Sequence, residues 1–372
     1  MTKKFTPPRR GKIRVGVLFG GRSAEHEVSL QSAKNVIEAL DKNKYEVIPI
    51  GITKDGKWLL NTTSNYLLNS NNPKLIKINK SNKEIALYAQ VRGMLAPLNN
   101  NSEVKEKIDV IFPVLHGPFG EDGSMQGLLK LAGVPYVGAG VLGSAVGMDK
   151  DVMKRLLREA GIPIGDFLTL RSVKEMSFSE VKKKLDMPVF IKPANLGSSV
   201  GISKVKTENE WMTALKNAFQ YDLKIVVEAY IKGREIECAV LGNENPIASI
   251  PGEVVVNSEF YSYEAKYIDE KGATIQIPAK LSTETIEKIK DLSVKTFKAL
   301  NCEGLGRVDS FLTENGNIFV NEINTLPGFT NISMYPKLWE ASGLPVSKLI
   351  DKLIELAIER FKKEQKLKTT VN

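Results

Sequence analysis

An N-terminal parallel α/β domain followed by two α+β units is the fold class predicted for this 372-residue sequence. Three observations predict it. Residues 12–140 alternate strand-like apolar runs with helical spacing, which argues for a parallel sheet covered by helices. From 188 to 230 the order is strand, glycine-rich loop, strand, helix, strand. From 235 onward the chain is strand-rich first and closes with helical patterns. A chain of this length suits two or three domains and can bury a sizeable core.

The elements follow in order. Residues 13–19, IRVGVLF, form a buried-strand run stopped by Gly20-Gly21. A helix follows, with Val28, Val36, Ile37 and Leu40 near helical spacing. A strand at 108–112 leads to the loop HGPFGEDG, a helix over 124–132 and a short strand at 134–137. The Asn- and Lys-rich stretch 61–107 is read as an elaboration of this domain. Gly20-Gly21 does not complete a G-x-G-x-x-G fingerprint, which argues against a dinucleotide site. A helix over 148–160 is stopped by Gly161 and Pro163. Strands at 188–192, 200–205 and 224–230 enclose a helix at 208–219. The last unit starts with a strand at 235–241 and carries helices at 283–300 and 344–364. The expected units are therefore 1–147, 148–232 and 233–372.

Composition narrows the function classes. With 42% hydrophobic and 26% charged residues, the chain is that of an ordinary globular protein. No apolar run approaches the ~18 residues that span a bilayer. The basic start, MTKKFTPPRRGK, has no apolar stretch behind it, so it reads as a loose tail and not a signal peptide. Cys238 and Cys302 lack metal spacing and suit a reduced, cytoplasmic protein. The net charge of +9 is spread over helical surfaces without a basic–aromatic stripe. That pattern reads as solvated surface with some attraction for an anionic ligand, and not as a nucleic-acid site.

Two stretches carry chemistry. In IKPANLGSSVG, residues 191–201, Lys192 precedes the glycines. A P-loop has its lysine after them and leads into a helix. The stretch fits either a tight hairpin with Lys192 at its edge or a nest of N–H groups and hydroxyls around phosphate. In GRVDSFLTENGNIFVNEINTLPG, residues 306–328, two apolar runs flank Asn315-Gly316, a strong signal for a two-residue hairpin turn. That turn sets Asp309 opposite Glu322 and Arg307 opposite Asn324, all on one face. Opposed side chains have Cβ atoms roughly 4.5–5.5 Å apart, so the two carboxylates repel unless a cation sits between them. A hard divalent ion suits Asp309, Glu322 and Asn324. The alternative is a solvated face paired to lysines. A phosphate loop and a metal hairpin in one chain together imply a nucleoside triphosphate.

MDK (148–150), IKPANLGSSVG, VVE (226–228), GREIE (233–237), GRVD and NEINTLPG together resemble the ATP-grasp superfamily. With GGRSAEHEVSL (20–30), LHGPFGEDGSMQG (115–127) and YSYEAKY (261–267), the chain resembles the D-alanine–D-alanine ligase family over about 12–360. The resemblance implies an ATP-grasp fold with ATP held between the central and C-terminal units. It implies two Mg²⁺ or Mn²⁺ ions and a reaction for peptidoglycan synthesis. ATP phosphorylates one D-alanine, and the amine of a second attacks the acyl phosphate. By the same resemblance Lys150 and Lys192 contact the phosphates, with Ser198 and Ser199 in the loop folded over them. Glu228 meets the adenine amino group, backbone around Ala229–Ile231 the ring edge, and Glu235 the ribose. Asp309, Glu322 and Asn324 hold the metals. Glu25 binds the first ammonium and is coupled to Ser198 and Tyr267. Arg307 and the N–H of Gly328 stabilise the oxyanion. Lys266 and Ser333 receive the second carboxylate, and His116 lies near the substrate. The polar, aromatic segment 256–273 is expected to close as a lid. Without the family, Glu25 and Glu27 also read as helix first-turn acids that complement the macrodipole. A homodimer is implied as well. The alternatives are a sister enzyme joining D-alanine to D-lactate or D-serine, or a non-catalytic nucleotide-binding relative.

Overall fold

The run IRVGVLFG becomes β1 (Ile13–Gly20), buried along most of its length. In the computed structural model, residues 11–80, 83–88, 93–98, 106–256, 273–368 and 370–371 are described. β1 runs parallel to β2 (Tyr45–Ile52) on one side and to β9 (Val110–Val114) on the other. The parallel part ends there. β3 (Trp58–Leu60) adds antiparallel to β2, and β6 (Lys83–Tyr88), β7 (Met94–Pro97) and β8 (Glu106–Lys107) continue outward antiparallel. β4 (Leu67–Leu68) and β5 (Lys77–Ile78) form a small ladder of their own. The stretch 61–107 is thus largely a sheet extension. Its connections are too short for parallel crossovers, which need a dozen or more residues.

Helix α1 (His26–Ala39) packs on this sheet, followed by α2 (Ser124–Leu131) and α3 (Val141–Met148). The strand expected at 134–137 is only a single bridge, Ile111 to Tyr136. The helix expected over 148–160 begins at Lys150 instead, as α4 (Lys150–Glu159). Asp149 is extended, with ψ 99°, and its carboxylate accepts from the N–H of Val152. A short acid at this position satisfies an orphan N–H of the new helix, so the chain breaks between α3 and α4.

The central unit is an antiparallel sheet in the order β10 (Phe167–Leu170), β13 (Ile225–Ala229), β11 (Val189–Pro193), β12 (Ser203–Val205). Helices α5 (Phe178–Leu185) and α6 (Glu208–Ala218) cover one face. Leu170, Val189, Ile191 and Val227 meet Val181, Trp211 and Leu215 in its core. Alternation sends Phe190, Lys192 and Glu228 to the other face. β12 starts later than expected because Ser198, Ser199 and Gly201 take φ of 53°, 59° and 71°. A strand cannot pass through that backbone region.

The C-terminal sheet runs β17 (Ala273–Gln276), β16 (Gly252–Val256), β14 (Arg234–Gly242), β18 (Gly304–Leu312), β19 (Ile318–Asn324), with β15 (Ile247–Ala248) paired to β14. Helices α7 (Thr283–Ala299), α8 (Met334–Ala341) and α9 (Val346–Glu364) complete the unit. Val17, Phe19 and Leu30 share one core with Tyr335, Leu349 and Leu353, so the first and last units are packed as one body. Arg360 strengthens the joint by donating to the carbonyls of Gly138 and Tyr136. The central unit keeps a separate core.

Candidate active site

The hairpin β18–β19 sets the first half of the site. Thr313 N–H donates to Asn317 O at 2.9 Å, and Gly316, at φ 79°, closes a three-residue loop over 314–316. The two-residue turn expected from Asn315-Gly316 is therefore one residue short. Pairing starts at Leu312 with Ile318 and reaches Ser310 with Val320. A bulge at Asn321 then restores Asp309 opposite Glu322 and Arg307 opposite Asn324. The expected facing pair forms because the longer loop and the bulge offset each other. One extra residue in one strand re-aims everything beyond it.

On that face the Arg307 guanidinium donates to both oxygens of Asp309 at 2.7 Å and lies 2.8 Å from Glu237 Oε2. Asn324 Nδ2 donates to Asp309 at 3.0 Å. Lys150 Nζ stands 3.7 Å from Glu322. No three His, Cys, Asp or Glu side chains converge among the described residues. Asp309 and Glu322 nevertheless put hard oxygen donors on one cavity wall, with the Asn324 amide beside them. That donor set fits a divalent ion completed by phosphate oxygens, the usual habit of Mg²⁺.

The second half comes from the central unit. Its free sheet face and the C-terminal sheet enclose a cavity of about 560 Å³. Lys150, Lys154, Lys192, Glu228, Asp309 and Glu322 line it, as do Ser198, Ser199, Ala229, Ile231 and Glu235. Lys150 Nζ donates to the carbonyl of Leu196 at 2.7 Å, at the base of the glycine loop. Lys192 Nζ lies 2.5 Å from Glu228 Oε2, and Lys154 Nζ lies 3.3 Å from Oε1. Burial works against ionisation of Glu228, but the Lys154 and Lys192 ammonium groups outweigh it and hold the carboxyl down at about 2. Burial lowers the pKa of Lys154; it opposes the Lys192 ammonium too, but there Glu228 and Glu322 win and raise it. The backbone N–H of Ala229 donates to Asp166 O. Lys224 bridges Asp149 and Asp151, at 2.5 and 3.2 Å, and ties the start of α4 to β13.

A third group gathers where α1 meets the glycine loop. Glu25, buried just ahead of α1, accepts a hydrogen bond from Ser198 Oγ. A Cβ on Gly117 would stand 3.1 Å from Glu25 Oε2, and one on Gly197 3.3 Å, so two glycine backbones wall in this carboxylate. Glu121 accepts from Gly117 N–H at 2.8 Å; burial first, then the charge of Glu25, pushes its carboxyl up to about 8. His116 Nδ1 lies 3.1 Å from Leu326 O and its Nε2 3.3 Å from Ser32 Oγ; burial lowers its pKa. Ser32 Oγ accepts from Phe329 N–H, and Ser333 Oγ from Thr330 N–H. A Cβ on Gly328 would reach Ser333 Oγ at 2.8 Å. Glu27, by contrast, sits in the first turn of α1 and pairs with Lys54 at 2.7 Å, which matches the macrodipole reading.

The predicted residues thus fall into a cavity group and a second group around Glu25, bridged by Ser198. Lys266, Tyr267 and residues 257–272 of the segment expected as a lid lie outside the described residues. Sequence reasoning missed Glu121, Lys154, Glu237 and Lys224. Glu121 stood inside the quoted HGPFGEDG loop. Lys154 had a signal in its i,i+4 spacing from Lys150, which puts both on one helix face.

Two antiparallel sheets gripping a polar cavity, with a strand–loop–strand flap bearing Lys192 ahead of its glycines, make this an ATP-grasp protein. Residues 14–139 match the D-ala D-ala ligase N-terminus model, and 156–355 the D-ala D-ala ligase C-terminus model. The chain is 55% identical to a D-alanine–D-alanine ligase of Oceanobacillus iheyensis, over 96% of this chain and 99% of the relative. It resembles the solved ligase of Coxiella burnetii with a TM-score of 0.82 and 42% identity, over 95% and 96% of the two chains. The Bacillus anthracis ligase complexed with ATP matches with a TM-score of 0.71 and 32% identity, over 95% and 100%. The chain belongs to the D-alanine–D-alanine ligase family. No helix among the described residues is long and apolar enough to cross a membrane.

Proposed function

We propose that this chain joins two D-alanine molecules into D-alanyl-D-alanine at the expense of ATP, for cell-wall synthesis. The observation that carries the reading is Ser198. Its hydroxyl donates to Glu25 while its loop lines the cavity, so one flap serves both seats. ATP lies in the cavity, its phosphates against Lys150, Lys192, Ser198 and Ser199. Its base meets Glu228 and the backbone of Ala229–Ile231, and its ribose meets Glu235. Asp309, Glu322 and Asn324 would hold two Mg²⁺ ions, which supply positive charge to the phosphates when bound.

Transfer of the γ-phosphoryl needs placement and charge neutralisation more than covalent help. Glu25 takes the ammonium of the first D-alanine, whose carboxylate oxygen accepts the phosphoryl group and releases ADP. The second amine then attacks the acyl carbon, and phosphate leaves. Arg307 and the Gly328 N–H face the developing oxyanion, a role usually worth a few kcal/mol per donor. Ser333 and Lys266 receive the second carboxylate, Tyr267 joins the Glu25–Ser198 pair, and His116 holds the 326–329 loop against the N-terminal unit. The units are 1–147, 148–232 and 233–372. The family resemblance also supports a cytoplasmic homodimer.

Phosphate release from ATP and Mg²⁺ tests this. D-alanine alone is expected to support turnover, and adding D-lactate or D-serine to give no larger release. Absence of release with D-alanine, or release dominated by either added acceptor, overturns the reading.

A further inference from the structure

Lys154 follows Lys150 by one helical turn, and both ammonium groups leave the cavity side of α4. Lys154 is only 2% exposed. It spans from the helix to Glu228 Oε1 at 3.3 Å and passes the Phe167 ring at 5.8 Å. Lys192 holds the other oxygen, Oε2, at 2.5 Å. The carboxylate thus has one ammonium beside each oxygen. Lys154 comes from α4 and Lys192 from β11, while β10 offers only Phe167 opposite Glu228. Glu322, on the opposite wall, adds negative charge felt by both lysines.

The two oxygens differ. Oε1 is buried and makes no hydrogen bond among the described residues, although Lys154 is close. A buried acceptor left without a hydrogen bond is costly and rare. Glu228 and Ala229 line the cavity, so a ligand donor meets this carboxylate from the cavity side. An ionised carboxylate only accepts hydrogen bonds; a protonated one also donates.

We propose that Lys154 is a positioning residue for nucleobase choice: it keeps Glu228 an acceptor, so the site takes a 6-amino purine and opposes a 6-oxo purine. This rests on the reading that the nucleotide base lies at Glu228. A 6-amino group donates to the ionised Glu228 carboxylate. A 6-oxo group sets oxygen against oxygen with no proton between them. Without Lys154, one ammonium remains for a carboxylate that stays buried, and desolvation then favours the neutral acid. The neutral acid donates to the 6-oxo group, and the discrimination weakens.

Initial rates of the full chain with ATP and with inosine triphosphate, at saturating D-alanine, test this. The ratio of kcat/KM for the two nucleotides is expected to fall about tenfold in Lys154→Met, the scale of one charge-assisted hydrogen bond. The change is expected in KM, and Lys154→Arg is expected to recover most of the ratio. If Lys154→Met slows both nucleotides alike and leaves the ratio at the wild-type value, Lys154 only supports the fold and the proposal is overturned. Glu228→Gln separates the two layers, because its amide can donate to a 6-oxo group. It is expected to shift the ratio in the same direction. Wild-type KM and ratio in that variant would mean that the base does not lie at Glu228, and the proposal would fall with that placement.

Discussion

The wall of the cavity supplied by the central unit sets Lys154 and Lys192 around one carboxylate, Glu228, with Lys150 beside them reaching towards Glu322. The wall supplied by the C-terminal sheet sets Glu237 of β14 and Asp309 of the hairpin around one guanidinium, Arg307, with Glu322 opposite Asp309. The lysine wall carries spare positive charge and suits phosphate as it stands. The acid wall carries spare negative charge and would repel phosphate. Lys150, 3.7 Å from Glu322, links the two in part, and a divalent cation held by the hairpin would complete the match to phosphate. The walls also differ in how they are held. The lysines come from a helix and a strand joined through Lys224, whereas the Asp309–Glu322 pair depends on the register of a single hairpin.

Removing one acid is therefore expected to break the site most severely. Asp309→Asn keeps the shape but halves the carboxylate pair, and turnover is expected to fall at least about 100-fold, since a bound metal contributes several kcal/mol to charge stabilisation. Phosphate release across a Mg²⁺ titration, beside a thermal melt, checks this. A variant within threefold of wild type at saturating Mg²⁺ would show that the hairpin is no metal seat.

Lysine loss is expected to cost less, because Lys192 and the loop remain. Lys150→Met should raise the KM for ATP about tenfold, the scale of one charge-assisted contact. An unchanged KM would remove Lys150 from the phosphate seat. Smallest of all is a change in the turn. Gly316→Ala forces a side chain into φ 79° and is expected to lower stability by about 1 kcal/mol in urea unfolding. The opposed pair should survive it, since the bulge at Asn321 lies beyond the turn. No loss of stability would mean that the turn relaxes into another form.

How much was legible depended on how local the signal was. β1 and the strand–loop–strand around Lys192 follow from apolar runs and from glycine and serine placed between them. The Asp309–Glu322 pair was read correctly from the wrong turn, because nothing in NGNIFVNE announces a bulge at Asn321. The helix ahead of Asp149, Val141–Met148, escaped the reading, because Gly143 and Gly147 weaken its helical signal. The Lys154–Glu228 pair joins residues far apart in the chain. Glu121 reads as a loop acid until Glu25 is seen beside it.

Taken alone, the sequence determined the order of the elements, the chemistry carried by each motif and the family to which the motifs belong. These rest on short-range periodicity and on residue types at fixed spacing. Only the tertiary structure decided which charges face one another. It set one ammonium beside each oxygen of Glu228, brought Ser198 to Glu25, and packed the first and last units around one core. Burial and long-range Coulomb terms act through space, and chain order does not encode them at any fixed spacing.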